Sequence, residues 1–274
     1  MAPACPVNTL AGVIELERVD APGWPSGVAV IWLARPEKRN ALTYRMWEEL
    51  GRICTELAGD PTVRVVVLRG RGEHFCAGAD ITELHAPRQP GEPTFAEANL
   101  AAEHALAGLR VPTVAVLQGD VVGGGCALAI DCDLRLAVTG SRFGITPAKL
   151  GIAYPVPSIE RVTRLLGPSH TKRLLFTGDL VGVDEALRIG LVDEVCAPDL
   201  ISVRLDALVA TLCERSLLTQ VATKEMVAAI TQYGAVPDVL AEHWAREVAA
   251  SDDPAEGARA FAERRPPTFR WRIS

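Results

Sequence analysis

Two glycine-rich stretches, HFCAGADI at 74–81 and GDVVGGGCALAIDCD at 119–133, limit what this chain can fold into more than any other feature. Each places small residues where a chain would leave a strand and enter a helix. Junctions of that kind leave backbone N–H groups unpaired and directed outward. Two of them converging on one oxygen would stabilise a developing oxyanion without any side chain. Glycine also lets a ligand lie against backbone. A tight turn explains either stretch alone; the pair points to a site.

Strand-like runs at 27–33, 63–69, 114–118 and 134–138 are apolar or β-branched and bounded by Gly, Pro or charge. Helical patterns at 44–57, 94–109 and 123–131 lie between them, which predicts an α/β core with buried strands. From 183 to 262 the pattern is helical, broken at Pro198, 234–237 and 252–254. The segment HAPRQPGEP at 85–93 reads as a mobile loop at the site mouth or as a plain surface connector. The chain has 274 residues, 49% hydrophobic and 23% charged, so it can bury a sizeable core in a soluble globular protein. A net charge of −6 gives no reason to expect nucleic acid as partner. The 7 cysteines are scattered with no CxxC pair, which reads as reduced cytosolic thiols rather than a metal site. No leader pattern and no run of ~20 apolar residues is visible, so the expected location is cytoplasmic, without membrane association.

At the two glycine stretches the chain resembles the crotonase (enoyl-CoA hydratase/isomerase) superfamily. The resemblance continues in collinear order through ARPEKRNALTYRMWEEL (34–50), VRVVVLRGRGEHFCAGADI (63–81) and VPTVAVLQGDVVGGGCALAIDCDLRLA (111–137). It runs on through SRFGITPAKLGIAYP (141–155), LLFTGDLVGVDEALRIGLVDEV (174–195) and SDDPAEGARAFAERRPPTF (251–269). It implies an α/β, crotonase-like spiral of ββα units over residues 1–195 and a helical C-terminal trimerisation region over 196–274. It further implies a homotrimer or a hexamer built as a dimer of trimers. The substrate would be an acyl-CoA thioester, with no metal and no separate cofactor, because coenzyme A is part of the substrate.

Carried onto this sequence, the family's oxyanion hole would be the backbone N–H groups of Ala79 and Gly124, polarising the thioester carbonyl and holding an enolate. Hydration also needs a proton taken from water and one delivered to Cα, and the family's hydratases use two glutamates for this. Those positions are Ala127 and Pro147 here, and a further acidic position of other members falls on Pro155. The family's isomerases keep the second glutamate, so both ordinary activities lack their usual groups. The segment at 143–155 resembles that of the methylmalonyl-CoA decarboxylases, in which a Thr-Pro replaces Pro-Glu and a tyrosine follows Leu-Gly. Decarboxylation needs enolate stabilisation and no carboxylate base, and Tyr154 is the candidate to orient the departing carboxylate. That enzyme carries a histidine where this chain has Ala79. Half-buried packing is the other reading of Tyr154.

For the CoA moiety, Lys38, Arg39, Arg264 and Arg265 are the candidate phosphate contacts. Ala77, Ala79, Asp80, Ile81 and Thr82 would line the adenine and pantetheine end through backbone. Phe261 either covers the acyl-CoA of a neighbouring subunit or packs in the core. Asp80 is expected to cap a helix after Ala79, with Glu83 in its first turn. His104 either faces the cavity or is structural, and His85 would enter only on loop closure. Asp131 and Asp133 are expected in a helix-end or turn role. Three readings stand. The first is a divergent hydratase/isomerase-family enzyme, a CoA-dependent lyase with relocated acid-base residues. The second is a decarboxylase of a malonyl-type CoA ester, and the third a non-catalytic acyl-CoA binding protein. No GxGxxG or GxSxG supports an oxidoreductase or a serine hydrolase.

Overall fold

The computed structural model describes residues 13–19, 24–84, 86–87 and 89–273. Its strands are β1 (Val13–Val19), β2 (Val28–Ala34), β3 (Val65–Gly70), β4 (Thr113–Leu117), β5 (Asp120–Val122), β6 (Leu134–Val138), β7 (Arg142–Gly144), β8 (Val181–Gly182) and β9 (Glu194–Cys196). Its helices are α1 (Tyr44–Ala58), α2 (Phe95–Ala107), α3 (Gly124–Asp131), α4 (Val156–Thr177) and α5 (Val183–Arg188). They continue with α6 (Ile201–Glu214), α7 (Leu217–Tyr233), α8 (Asp238–Ala250) and α9 (Asp253–Glu263). A six-stranded sheet runs in the order β1-β2-β3-β4-β6-β9, parallel throughout except for β1 against β2. A second sheet, β5-β7-β8, stands beside it.

Strands β2, β3 and β4 are apolar on both faces because both faces are covered. Alternate residues Ala29, Ile31, Val66, Leu68, Ala115 and Leu117 enter the main core with α1 and α2. Their neighbours Val30, Val67, Val116 and Leu136 face Ile201, Leu205 and Val209 of α6. Between β4 and β5, and again between β6 and β7, the chain steps from one sheet to the other before entering α3 and α4. These are the ββα units of the expected spiral. Isolated bridges pair Cys76 with Val121 and Leu42 with Ala79, so the 74–81 stretch is stitched to the second sheet as well.

The structure adds elements the sequence pattern did not announce. β9 interrupts the region read as helical from 183 onward and pairs parallel with β6 at the sheet edge. Three residues are too few to display an alternation. α4 also went unread, because Gly167 (φ 74°) followed by Pro168 breaks its period. No helix of the described residues is long and apolar enough to cross a membrane.

Candidate active site

Asn40 frames the site. It is fully buried in a left-handed conformation (φ 55°), and its amide donates to the carbonyls of Arg71 (2.9 Å) and His74 (2.7 Å). Its Oδ1 accepts from Arg35 N at 2.8 Å. This ties the 35–42 loop to the 74–81 stretch, and the two then run side by side. Ala77 N donates to Arg39 O (2.9 Å), Leu42 N to Gly78 O (2.8 Å) and Asp80 N to Leu42 O (2.8 Å). Lys38, Arg39, Ala77, Asp80, Ile81 and Thr82 are thereby brought together. Sequence reasoning passed over Asn40, although an Asn before an apolar helix is a left-handed candidate.

Ala79 N takes no part in that pairing, and Gly124 N opens α3 ahead of its first intrahelical bond, Ala127 N to Gly123 O. Neither N–H meets an acceptor among the described residues. The two peptides lie close: Ala79 N is 3.6 Å from where a Gly124 Cβ would stand, and Gly124 N is 3.4 Å from that of Gly78. Gly78 (φ 100°) and Gly123 (φ 55°) supply the turns that bring them there. The ring of Trp47 lies against Gly124, 2.9 Å from the position of a Cβ. A cleft of about 760 Å³ between α1 and α2 reaches Trp47 and is bordered by Gly51, Ala98, Ala102 and the 91–93 segment.

Beyond Gly124, Ala127 is buried, and buried Pro147 starts a short 3-10 turn; neither side chain is ionisable. Deeper along α3 lies a polar cluster. Arg161 Nη1 of α4 is 3.3 Å from Glu103 Oε2 of α2 and 3.1 Å from Asp131 Oδ1. Ser158 Oγ and Asn99 Nδ2 donate to Glu103 at 2.6 and 2.8 Å. Burial, and then the Glu103 charge, push the Asp131 carboxyl well above its ordinary range despite Arg161. The Tyr154 hydroxyl is buried without a hydrogen-bond partner, and burial, with Cys126, Glu103 and Asp131 nearby, pushes its pKa well up. Buried Cys76 and Cys126 are pushed up to about 12 by desolvation, which makes them packing thiols rather than nucleophiles.

Several expectations are corrected. No helix follows Ala79: Asp80 accepts from Thr82 N (3.1 Å) and Oγ1 (2.7 Å) and pairs with Arg35 (2.7 Å). Thr82 first, then Arg35, hold its carboxyl below the usual range. This local turn competes with helix formation. Glu83 caps a different helix, accepting from Tyr44 N at the start of α1 (2.8 Å). His104 is exposed rather than facing the interior; its neighbour Glu103 takes the inward position. Phe261 is 88% exposed, not core. Arg265 is engaged by Glu256 and Glu263, while Arg264 caps α9 in a left-handed conformation and is exposed. Arg39 is 61% exposed yet reaches Asp120 at 3.0 Å. Asp133 ties Thr113 N (2.8 Å) to Lys224 Nζ (2.7 Å), a structural role as expected. His85 lies outside the described residues.

The sequence matches the enoyl-CoA hydratase/isomerase family over residues 23–272. It is 30% identical over 247 residues to the (E)-benzylidenesuccinyl-CoA hydratase of Thauera aromatica, spanning 89% of this chain and 95% of that one. Against the short-chain-enoyl-CoA hydratase of Clostridium acetobutylicum it is 37% identical over 172 residues, 62% and 66% of the two chains. The crystal structure of an enoyl-CoA hydratase/isomerase family member superposes with a TM-score of 0.87 at 36% identity, over 98% of this chain and 100% of that one. Fold, collinear motifs and near relatives agree, and the chain belongs to the enoyl-CoA hydratase/isomerase family.

Proposed function

We propose that this protein acts on an acyl-CoA thioester through an enolate held by the backbone N–H groups of Ala79 and Gly124. The observation that carries the reading is the pair of unpaired donors on neighbouring peptides. Donors fixed before the reaction need no reorganisation as charge develops on the thioester oxygen. The thioester would lie between the 77–80 segment and the start of α3, its acyl group directed toward Trp47. The CoA phosphates would meet Lys38, Arg39 and Arg264. Phe261 and the apolar residues exposed on the C-terminal helices are the surface another copy would cover in a trimer or dimer of trimers. The family's commonest reaction, hydration of an enoyl-CoA, is the first activity to assign.

Decarboxylation of a malonyl-type ester is the second reading, favoured by one observation. Ala127 and Pro147 leave no carboxylate to repel that of the substrate, while the Tyr154 hydroxyl is buried and unpartnered. The deciding experiment gives the purified protein crotonyl-CoA and methylmalonyl-CoA separately and follows the products by mass. Addition of water to the first establishes hydration, and CO2 loss from the second establishes decarboxylation. Binding of both thioesters with no turnover, and no exchange of the Cα proton of butyryl-CoA in D2O, would reject enolate chemistry and leave an acyl-CoA binder.

A further inference from the structure

Trp47 of α1 is fully buried, yet its indole Nε1–H meets no acceptor among the described residues. A buried indole N–H usually finds a partner, and Phe or Leu would fill a core without stranding a donor. The ring is therefore held by packing, and what it offers this position is size. One point shows where that size is used. The place where a Gly124 Cβ would stand is 2.9 Å from Trp47 Cζ2, 3.3 Å from Cη2 and 3.6 Å from Ala79 N. Ring edge and Ala79 donor are thus separated by at most the sum of the first and last distances, about 6.5 Å. The same ring borders the cleft of about 760 Å³ between α1 and α2, a volume ample for a ligand. The cleft is otherwise walled by Gly51, Ala98, Ala101, Ala102 and Ala105, small residues that leave room for a chain. A Cβ on Gly51, one turn beyond Trp47, would stand 3.5 Å from Ala102 Cα, so the two helices meet along its floor. Among the described residues, none of the others lining the cleft comes from the 74–81 stretch or α3. Trp47 is the partition between the Ala79–Gly124 peptides and the cleft.

Resting on the enolate reading above, we propose that Trp47 is the end wall of the acyl site and restricts the substrate to short acyl groups. In that reading the thioester oxygen sits ~2.9 Å from Ala79 N. The CoA end leaves toward Lys38 and Arg39, so the acyl end is the part that meets the ring. Acyl carbons must stay ~3.5–4.0 Å from the ring atoms. A butyryl group fits in front of the ring on those terms, and an octanoyl group does not. The cleft behind the ring is the space a longer chain would need. Exposed Glu48, Glu92 and Glu97 also line it, so the chain it suits is an uncharged hydrocarbon rather than one ending in a carboxylate. Trp47 makes and breaks no bond in the reaction; it determines specificity through shape.

The test titrates butyryl-CoA and octanoyl-CoA calorimetrically into the wild-type protein, Trp47→Leu, and Trp47→Leu combined with Ala101→Phe, each confirmed folded by circular dichroism. The wild type is expected to bind butyryl-CoA at least about tenfold more tightly than octanoyl-CoA. Trp47→Leu should raise the octanoyl-CoA affinity about tenfold or more, since each methylene moved from water into an apolar cleft is worth roughly fourfold. Adding Ala101→Phe refills the cleft from α2 and should cancel that gain, which a mere loosening of the core would not predict. Equal wild-type affinity for the two esters, or an unchanged ratio in Trp47→Leu, overturns the wall. The enolate reading then still stands if the wild type exchanges the Cα proton of butyryl-CoA in D2O. A ratio that moves with Trp47 in a protein that exchanges no Cα proton keeps the wall and retires the enolate reading. A wild type that binds neither ester overturns both. If Trp47→Leu fails to fold, Trp47→Phe decides by the same ratio, with a smaller shift.

Discussion

Asp131, its carboxyl pushed up by burial and then by the Glu103 charge, has a consequence for stability. Its carboxyl is raised in the folded chain above the ~3.9 of an unfolded aspartate, so between those values the native state binds the extra proton. The contribution is full below the unfolded value and is lost as pH rises toward and through the folded one, at up to ~1.36 kcal/mol per pH unit. Asparagine at 131 cannot ionise and escapes this loss. Urea midpoints from pH 4.5 to 8 should therefore show Asp131→Asn gaining on the wild type as pH rises; a constant gap would refute the assignment. The backbone donor can be tested as directly. Ala79→Pro removes an N–H that serves no structural bond and should lower kcat on the order of 10²–10³-fold with the fold retained. Retained turnover would remove Ala79 from the mechanism. Residue identities in the glycine stretches were legible because backbone chemistry leaves few options there. Glu103 was not, since beside His104 on a helix only the tertiary fold decides which of the two turns inward.

At the scale of elements, the proposed oxyanion pair depends on how closely α3 approaches the 74–81 stretch. A Cβ on Gly125 would stand 2.4 Å from Cys76 O and 2.7 Å from Cys76 Cβ, and backbone cannot yield as a flexible side chain does. Gly125→Ala should cost about 1–3 kcal/mol of stability and lower kcat more than KM, because α3 must back away. Thermal unfolding and steady-state kinetics on the same sample check both, and an unchanged melting temperature would show that the contact is softer than its geometry. The strands β2, β3 and β4 were readable because four or more apolar residues in a row mark a doubly covered strand, and β6 because Leu134, Leu136, Ala137 and Val138 are apolar around a single Arg135. β5, β7, β8 and β9 are two or three residues long and take their conformation from a neighbour, so no local pattern records them. The helix expected after Ala79 failed for the opposite reason. Asp80 is a good cap in isolation, but Thr82 and Arg35 claim its carboxylate in a turn.

For the whole molecule, the C-terminal segment is fastened through Asp253, which a reading of helical periodicity had no means to single out. Asp253 is buried; its Oδ1 accepts from Arg270 N (3.0 Å) and Trp271 N (3.3 Å), and its Oδ2 from Ser216 Oγ (2.8 Å) at the cap of α7. One carboxylate thus joins α7, α9 and the tail, and Trp271 then packs its ring 6.1 Å from buried Trp244 of α8. Asp253→Ala strands two backbone donors and leaves Ser216 only its cap to Thr219 N. Buried groups left unpaired cost ~1–3 kcal/mol, which here falls on the tail before the core. Hydrogen exchange should show the Arg270 and Trp271 amides losing protection by an order of magnitude or more, since ~1.4 kcal/mol is a factor of ten. The amides of β3 and β4 should be unchanged, because their burial between α1, α2 and α6 does not involve the tail. Equal loss in both regions would mean that tail and sheet unfold as one unit. In that case Asp253 would be a determinant of global stability, and the site would depend on the C-terminal helices even within one chain.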